Sequence, residues 1–290
     1  MNLPFSSCNL LALLRQLVLF LALLPSTSTL FADETLVAVA SNFAVPAREI
    51  ATAFAAETGY QAIISTGSSG KLFAQIAQGA PFDLFLSADR AHAEKLLNSG
   101  KAVAGSNFTY AIGQLALYSK DPNLVDTQGK ILNNSQHLKN IAIANPKLAP
   151  YGIAAIEAMK KLGVYESLKP KLVMGENIAQ TFHFVNSGNA ALGFVAFSQL
   201  RALSQLKAHS RLKAHSQLKS HSQPGESTEG SWWIVPAEIY TPIRQDAVLL
   251  WHGEDSEAAM AFLEFLKSET AWEIIRRYGY ITENDAPADR

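Results

Sequence analysis

Short runs of apolar and β-branched residues alternate along the chain with longer stretches whose apolar positions recur at helical spacing. "TLVAVA" (35–40) predicts a strand. In "PAREIATAFAAETG" (46–59), Ala47, Ile50, Ala51 and Phe54 share a helical face, and Gly59 supplies a stop. "YQAIIST" (60–66) predicts a second strand, "SSGKLFAQIAQGAP" a second helix and "FDLFLSAD" (82–89) a third strand. Strands that alternate with helices in this way predict a parallel sheet covered by helices. The pattern returns with the strand "IAIAN" (141–145) and the helix "GIAAIEAMKKLG" (152–163). It continues through the strand "KLVMG" (171–175), the helix "NIAQTFHFVNSGN" (177–189) and the strand "LGFVAF" (192–197).

Two α/β units in series predict a two-lobed α/β protein, each lobe a mostly parallel sheet flanked by helices, with a cleft between the lobes. Residues 33–112 form the first part of lobe 1 and residues 113–235 form lobe 2. Residues 236–290 return to lobe 1. The first crossing falls in "FTYAIGQLALYSK" (108–120), and the return lies between "WWIVP" and "QDAVLLW" (245–251). One long C-terminal helix, 256–279, is expected to pack on lobe 1, because a chain that crosses twice ends where it began.

Between Phe197 and Trp232 the alternation fails. From Gln199 the chain reads QLRALS, QLKAHS, RLKAHS, QLKSHS, followed by "QPGESTEGS". This reads as a hexapeptide-repeat insertion at about 199–230, since a six-residue period matches neither the helical nor the heptad repeat. Its histidines, His209, His215 and His221, stand six apart, which on a helix rotates each by about 240° from the last. Zinc motifs place ligands on one face, and Lys207, Arg211, Lys213 and Lys219 repel a cation, so metal binding here is not the favoured reading. A repeat without ligand is the plainer one.

With 48% hydrophobic residues among 290, the chain can bury one large core or two smaller ones. Its 25 acidic and 24 basic residues leave a net charge of −1, so no general field recruits nucleic acid or an anionic membrane. The first 32 residues carry a single Arg15, then "LVLFLALL" and "PSTSTLFA". This is the order of a secretory signal peptide cut after Ala32, and it predicts export to the periplasm. The one cysteine, Cys8, lies inside that segment, so thiol catalysis and thiolate metal sites are excluded from the mature chain.

In sheets of this kind ligands sit beyond the carboxyl ends of the strands. The loops there carry Ser41 in "ASNFAVP" and Ser68, Ser69 and Gly70 in "STGSSGK", each at the start of a predicted helix. In the second half, Pro150 precedes the Tyr151 amide at a helix start, and Asn177 caps a helix that opens with the Ile178 amide. Helix N-termini offer unpaired N–H groups and a partial positive charge, and serine adds a hydroxyl donor. Such ends, with no lysine or arginine in these loops except Lys71 and Lys147, suit an anion held by hydrogen bonds. Ordinary helix capping is the alternative for Ser41 and Ser69.

Several stretches carry a resemblance: "VAVASN", "STGSSGKLFAQIAQGAPFDLFLSAD", "IAIANPKLAPYGIAA", "GENIAQTFHFVNSGNAALGFVAFSQL", "PIRQDAVLL" and "AWEIIRRYGY". From about Thr35 to Tyr280 the chain resembles the molybdate-binding periplasmic component of an ABC transporter. The resemblance implies a type II periplasmic binding protein with molybdate or tungstate in the cleft, no cofactor, and a membrane permease as partner. It assigns ligand contacts to the hydroxyls of Ser41 and Ser69 and to the amides of Tyr151 and Ile178, with Asn42 and Ser68 as further candidates. Some members donate a tyrosine hydroxyl from a "GIVY"-like strand. Here "GFVA" puts Ala196 at that position, which removes the donor. A monomer is expected, because closure needs both lobes free. Another oxyanion, such as sulfate or phosphate, is the alternative ligand. No nucleophile elbow or histidine spaced for catalysis accompanies Ser69, so an enzyme is not expected.

Overall fold

The computed structural model describes residues 33–217 and 230–283. The predicted signal segment 1–32 lies outside the described residues. Among the described residues, ten strands form two five-stranded sheets, which gives a two-lobed α/β fold.

The first sheet has the order β2-β1-β3-β10-β4. These strands are β1 (Glu34–Ala40), β2 (Gln61–Gly67), β3 (Leu84–Leu86), β4 (Phe108–Gly113) and β10 (Ile243–Leu249). β1 runs parallel to β2 and β3, and β10 is antiparallel to β3 and β4. Strand periodicity assigns alternate residues to opposite faces. Val37, Val39, Leu84, Leu86, Ala247 and Leu249 face one core, shared with helix α1 (Ala44–Thr58). Ala38, Phe85 and Val248 face the other, beneath α2 (Ser69–Ala77) and α3 (Arg90–Asn98). Burial on both faces is why "TLVAVA" reads as continuously apolar.

The second sheet repeats this plan in the order β7-β6-β8-β5-β9. Its strands are β5 (Leu115–Ser119), β6 (Ile141–Ala144), β7 (Leu172–Gly175), β8 (Leu192–Ala196) and β9 (Ser231–Ile234). β6 is parallel to β7 and β8, while β5 is antiparallel to β8 and β9. Helix α4 (Pro150–Lys161) and the short α5 (Tyr165–Leu168) cover one face, and α6 (Ile178–Asn186) covers the other. The chain leaves the first sheet at Gly113 and re-enters it at Ile243, so two adjacent strands carry both crossings.

Two elements differ from the sequence reading. The expected single helix over 256–279 is two helices, α8 (Glu257–Phe265) and α9 (Glu269–Arg277). The Ser268 side chain accepts a hydrogen bond from the Ala271 amide and caps α9, so a new helix begins where the apolar pattern runs on unbroken. Both helices pack on the first sheet.

The second difference is the hexapeptide tract, for which the sequence reading expected no regular element. Helix α7 runs from Phe197 to Gln217, through three of the four copies. Leu200 and Ala202 of the first copy are buried, whereas Leu206 of the second is 64% exposed. Six residues rotate a helix by about 240° beyond full turns, so the second leucine cannot land on the buried face of the first. The side chains of His209 and His215, and all of His221, lie outside the described residues.

Candidate functional site

The loops at the carboxyl ends of β1, β2, β6 and β7 meet between the two sheets. Ser41 opens a single 3-10 turn, Ser41–Phe43, directly after β1. Ser68 and Ser69 stand at the start of α2, Tyr151 in the first turn of α4, and Ile178 at the start of α6. Ser41, Asn42, Ser68, Ser69, Tyr151 and Ile178 are all buried, as is Ala196 at the end of β8.

The two lobes touch across this cleft. The Gly70 amide donates to the Leu148 carbonyl at 2.9 Å. Lys71 Nζ pairs with Glu176 Oε1 at 2.6 Å, and Ser198 Oγ donates to the Asn42 carbonyl at 3.1 Å. The cleft is therefore closed, and the charge of Lys71 is matched before any ligand is counted.

Capping does not account for the serines. Asp89, Asn177, Ser256 and Ser268 each accept a hydrogen bond from the third amide of their helix. Ser68, the residue before α2, makes no such bond, and its Oγ has no partner among the described residues. Ser69 lies inside the helix, where its Oγ accepts from the Ala88 amide at 2.9 Å. A serine hydroxyl has one proton, and this acceptance leaves the proton free to donate. Ser41 follows the capping position, which Ala40 occupies, so it too is no cap.

The second lobe presents backbone donors. Tyr151 and Ile178 fall among the first residues of their helices, whose amides have no intrahelical acceptor. Asn177 Oδ1 takes the Gln180 amide, which holds the first turn of α6 in shape and leaves the Ile178 amide for another acceptor.

Sequence reasoning missed a buried polar cluster directly behind these loops. Asn42 Nδ2 donates to Gln245 Oε1 at 2.7 Å and to the Tyr280 hydroxyl at 3.0 Å. Tyr280 donates in turn to the Asn42 carbonyl at 2.9 Å, and Tyr110 donates to Gln245 Oε1 at 3.1 Å. Burial pushes the Tyr110, Tyr151 and Tyr280 hydroxyls well above the usual tyrosine pKa, so all three stay neutral. The Asn42 side chain is thus committed to this cluster.

Gln199, the first residue of the hexapeptide tract, was also missed as a site residue. Its Oε1 accepts from the Ala196 amide at 3.0 Å, and its Nε2 donates to the Ile178 carbonyl at 3.1 Å. It therefore braces both the position where the tyrosine donor is missing and the start of α6. The "FSQL" stretch gave no signal for this, because the bonds join residues of three different elements.

Arg90 and Arg244 border a groove of about 400 Å³ between Ala88, Pro150 and Pro242. Both pair with Glu283, and Arg90 also lies 3.6 Å from Asp246. Hydroxyls and amides, rather than cations, are what the cleft offers an anion.

Residues 35–281 match the family described as bacterial extracellular solute-binding protein. The molybdate-binding protein ModA of Rhodobacter capsulatus is 48% identical over 252 residues, 87% of this chain and 90% of that protein. The periplasmic molybdate-binding protein of Azotobacter vinelandii superposes with a TM-score of 0.72 at 38% identity, covering 85% of this chain and 98% of that one. The sulfate-binding protein SubI of Mycobacterium tuberculosis shares the fold, with a TM-score of 0.66 at 13% identity over 87% of this chain and 88% of its own. By sequence and by fold, the chain belongs to the bacterial extracellular solute-binding proteins and, within them, to the ModA family.

Proposed function

We propose that the protein captures molybdate, and tungstate as its near-isostere, in the periplasm and delivers it to the permease of an ABC transporter. The observation that carries this reading is a closed interlobe cleft lined by serine hydroxyls released from capping and by two helix N-termini, with Lys71 beside it already paired to Glu176. A buried dianion without a counter-charge is costly unless nearly all its oxygens are satisfied. Ser41 and Ser69 supply hydroxyl protons from lobe 1, and the Tyr151 and Ile178 amides supply N–H groups from lobe 2. Ser68 is a further donor. Asn42 acts from behind by holding the loop of Ser41, and Gln199 steadies the Ile178 turn where Ala196 offers no hydroxyl. The residues need no cofactor for this role, and the anion is cargo.

Closure brings the two half-sites together, so a ligand that touches both lobes shifts the population toward the closed form. Selection rests on the radius of the donor ring, since sulfate is also a tetrahedral dianion but smaller. Export through the segment 1–32 and function as a monomer complete the proposal.

The test is thermal unfolding with molybdate, tungstate, sulfate and phosphate at equal concentration. A ligand that binds only the native state raises its melting temperature by mass action. Large shifts are expected with the first two anions. A shift with sulfate and none with molybdate would replace the assignment.

A further inference from the structure

Helix α7 is fastened to both lobes. It follows β8 with no linker, since Ala196 ends the strand and Phe197 opens the helix. Gln199 ties it to Ala196 and Ile178 of lobe 2, and Leu200 is buried with Tyr118, Val185 and Val195 in the core of that lobe. The chain therefore carries α7 with the second sheet.

A second set of contacts belongs to lobe 1. Ala202 is buried in the core of the first sheet with Phe43, Tyr278 and Tyr280. Ser198 Oγ, also buried, donates to the Asn42 carbonyl at 3.1 Å and lies 3.0 Å from the Tyr280 hydroxyl. The Phe197 ring and the Arg201 stem pack on Gly279, where a Cβ would stand 2.8 Å from the ring and 3.2 Å from Arg201 Cγ. Gly279 has a φ of +78°, so glycine is what this turn requires. Ser198, Arg201 and Ala202 stand at i, i+3 and i+4 and so share one helical face. Past the first hexapeptide the seat thins out: Gln205 reaches the Arg277 carbonyl at a long 3.4 Å, and Leu206 is exposed.

We propose that residues 197–202 are a clasp between the lobes, built into lobe 2 and seated on lobe 1 when the cleft is closed. Because α7 moves with β8, opening draws the Ser198–Ala202 face off the first lobe, and closure packs it again. The clasp holds by fit rather than by charge, since its buried members are a methyl group and one hydroxyl. Ser198 also joins it to the anion site, because Asn42 holds the loop of Ser41. Seat and site thus form together, and release of the anion requires both to come apart. Ser198 and Ala202 are positioning residues in this scheme, and the identity of the anion rests on the carrier reading above. The first copy of the hexapeptide thereby acquires a task that the later copies, further along the helix, do not share.

The experiment compares Ala202→Leu and Ser198→Ala with the unaltered protein in molybdate titration, stopped-flow dissociation, urea unfolding without ligand, and interlobe distance measured by fluorescence transfer. A leucine at 202 has room only when the lobes stand apart. It should weaken molybdate binding by about tenfold or more, as overpacking a filled seat does. Dissociation should be faster, the distance shifted toward the open value, and the ligand-free stability retained. Ser198→Ala should weaken binding by about fivefold, the worth of one hydrogen bond. Full affinity with an unchanged distance in Ala202→Leu overturns the clasp. So does a loss of ligand-free stability as large as the loss of affinity, because α7 would then sit on lobe 1 in both forms. If the unaltered protein binds no molybdate, the carrier assignment fails, and the interlobe distance still decides the clasp.

Discussion

Gly70→Ala separates the stability of the protein from its affinity. Gly70 lies in the first turn of α2 with a helical backbone, so alanine there gains up to ~1 kcal/mol of helix propensity. In the open form nothing opposes that gain, and the ligand-free melting temperature should rise by about 2–4 °C for a chain of this size. Closure is different. The added Cβ would lie 3.1 Å from both Cα and the carbonyl oxygen of Leu148, in the opposite lobe. These are backbone atoms, so relief comes only from holding the lobes a few tenths of an ångström apart. That retreat weakens the 2.9 Å bond from the Gly70 amide to Leu148. Overpacking of this kind costs ~1–3 kcal/mol and a lost hydrogen bond about 1. A net penalty near ~2 kcal/mol raises the molybdate Kd about 30-fold. Differential scanning calorimetry without ligand and isothermal titration with molybdate read the two quantities on one sample. A variant that keeps full affinity would show that the lobes do not meet at Gly70 in the liganded protein. A fall in ligand-free stability would refute the helix argument instead.

Ser69→Ala removes a hydroxyl donor and leaves the Ala88 amide unpaired, so molybdate affinity measured by titration should fall roughly 10- to 100-fold, the worth of one hydrogen bond to a charged group. Ser268→Ala removes the cap that starts α9 and should lower global stability by about 1 kcal/mol in urea unfolding, with molybdate affinity unchanged. Deleting residues 205–222 should leave molybdate binding intact. Gln199→Ala, which unties Ala196 from Ile178, should weaken it in the same titration, although both changes touch the same repeat tract.

The alternating sheet-and-helix plan was legible because the central strands are buried on both faces and therefore appear as uninterrupted apolar words. The break between α8 and α9 was hidden, since buried apolar residues stand on both sides of it, Phe262 and Leu266 before and Ala271 and Ile275 after, and only Ser268 marks the new start. The placement of Ser41 and Ser69 in the loops of the cleft was legible because the end of a strand is a place that topology alone identifies. Their release from capping was not, because it depends on where Ala40 and Ala88 sit. The cluster behind the site joins Asn42 to Gln245 and Tyr280 across 203 and 238 residues, and no local pattern reports such pairings. The hexapeptide tract misled for a physical reason. Its period was judged over all copies, whereas burial of Leu200 and the two bonds of Gln199 depend on the first copy alone.

Helix α7 carries three hexapeptides in succession, and three copies happen to complete a whole number of turns: 18 residues make about five turns over roughly 27 Å. Adding or losing one copy would swing whatever follows by about a third of a revolution, while a change of three would alter reach and preserve heading. Rooted by its first copy in the floor of the anion cleft, the tract behaves as a ruler with a built-in step.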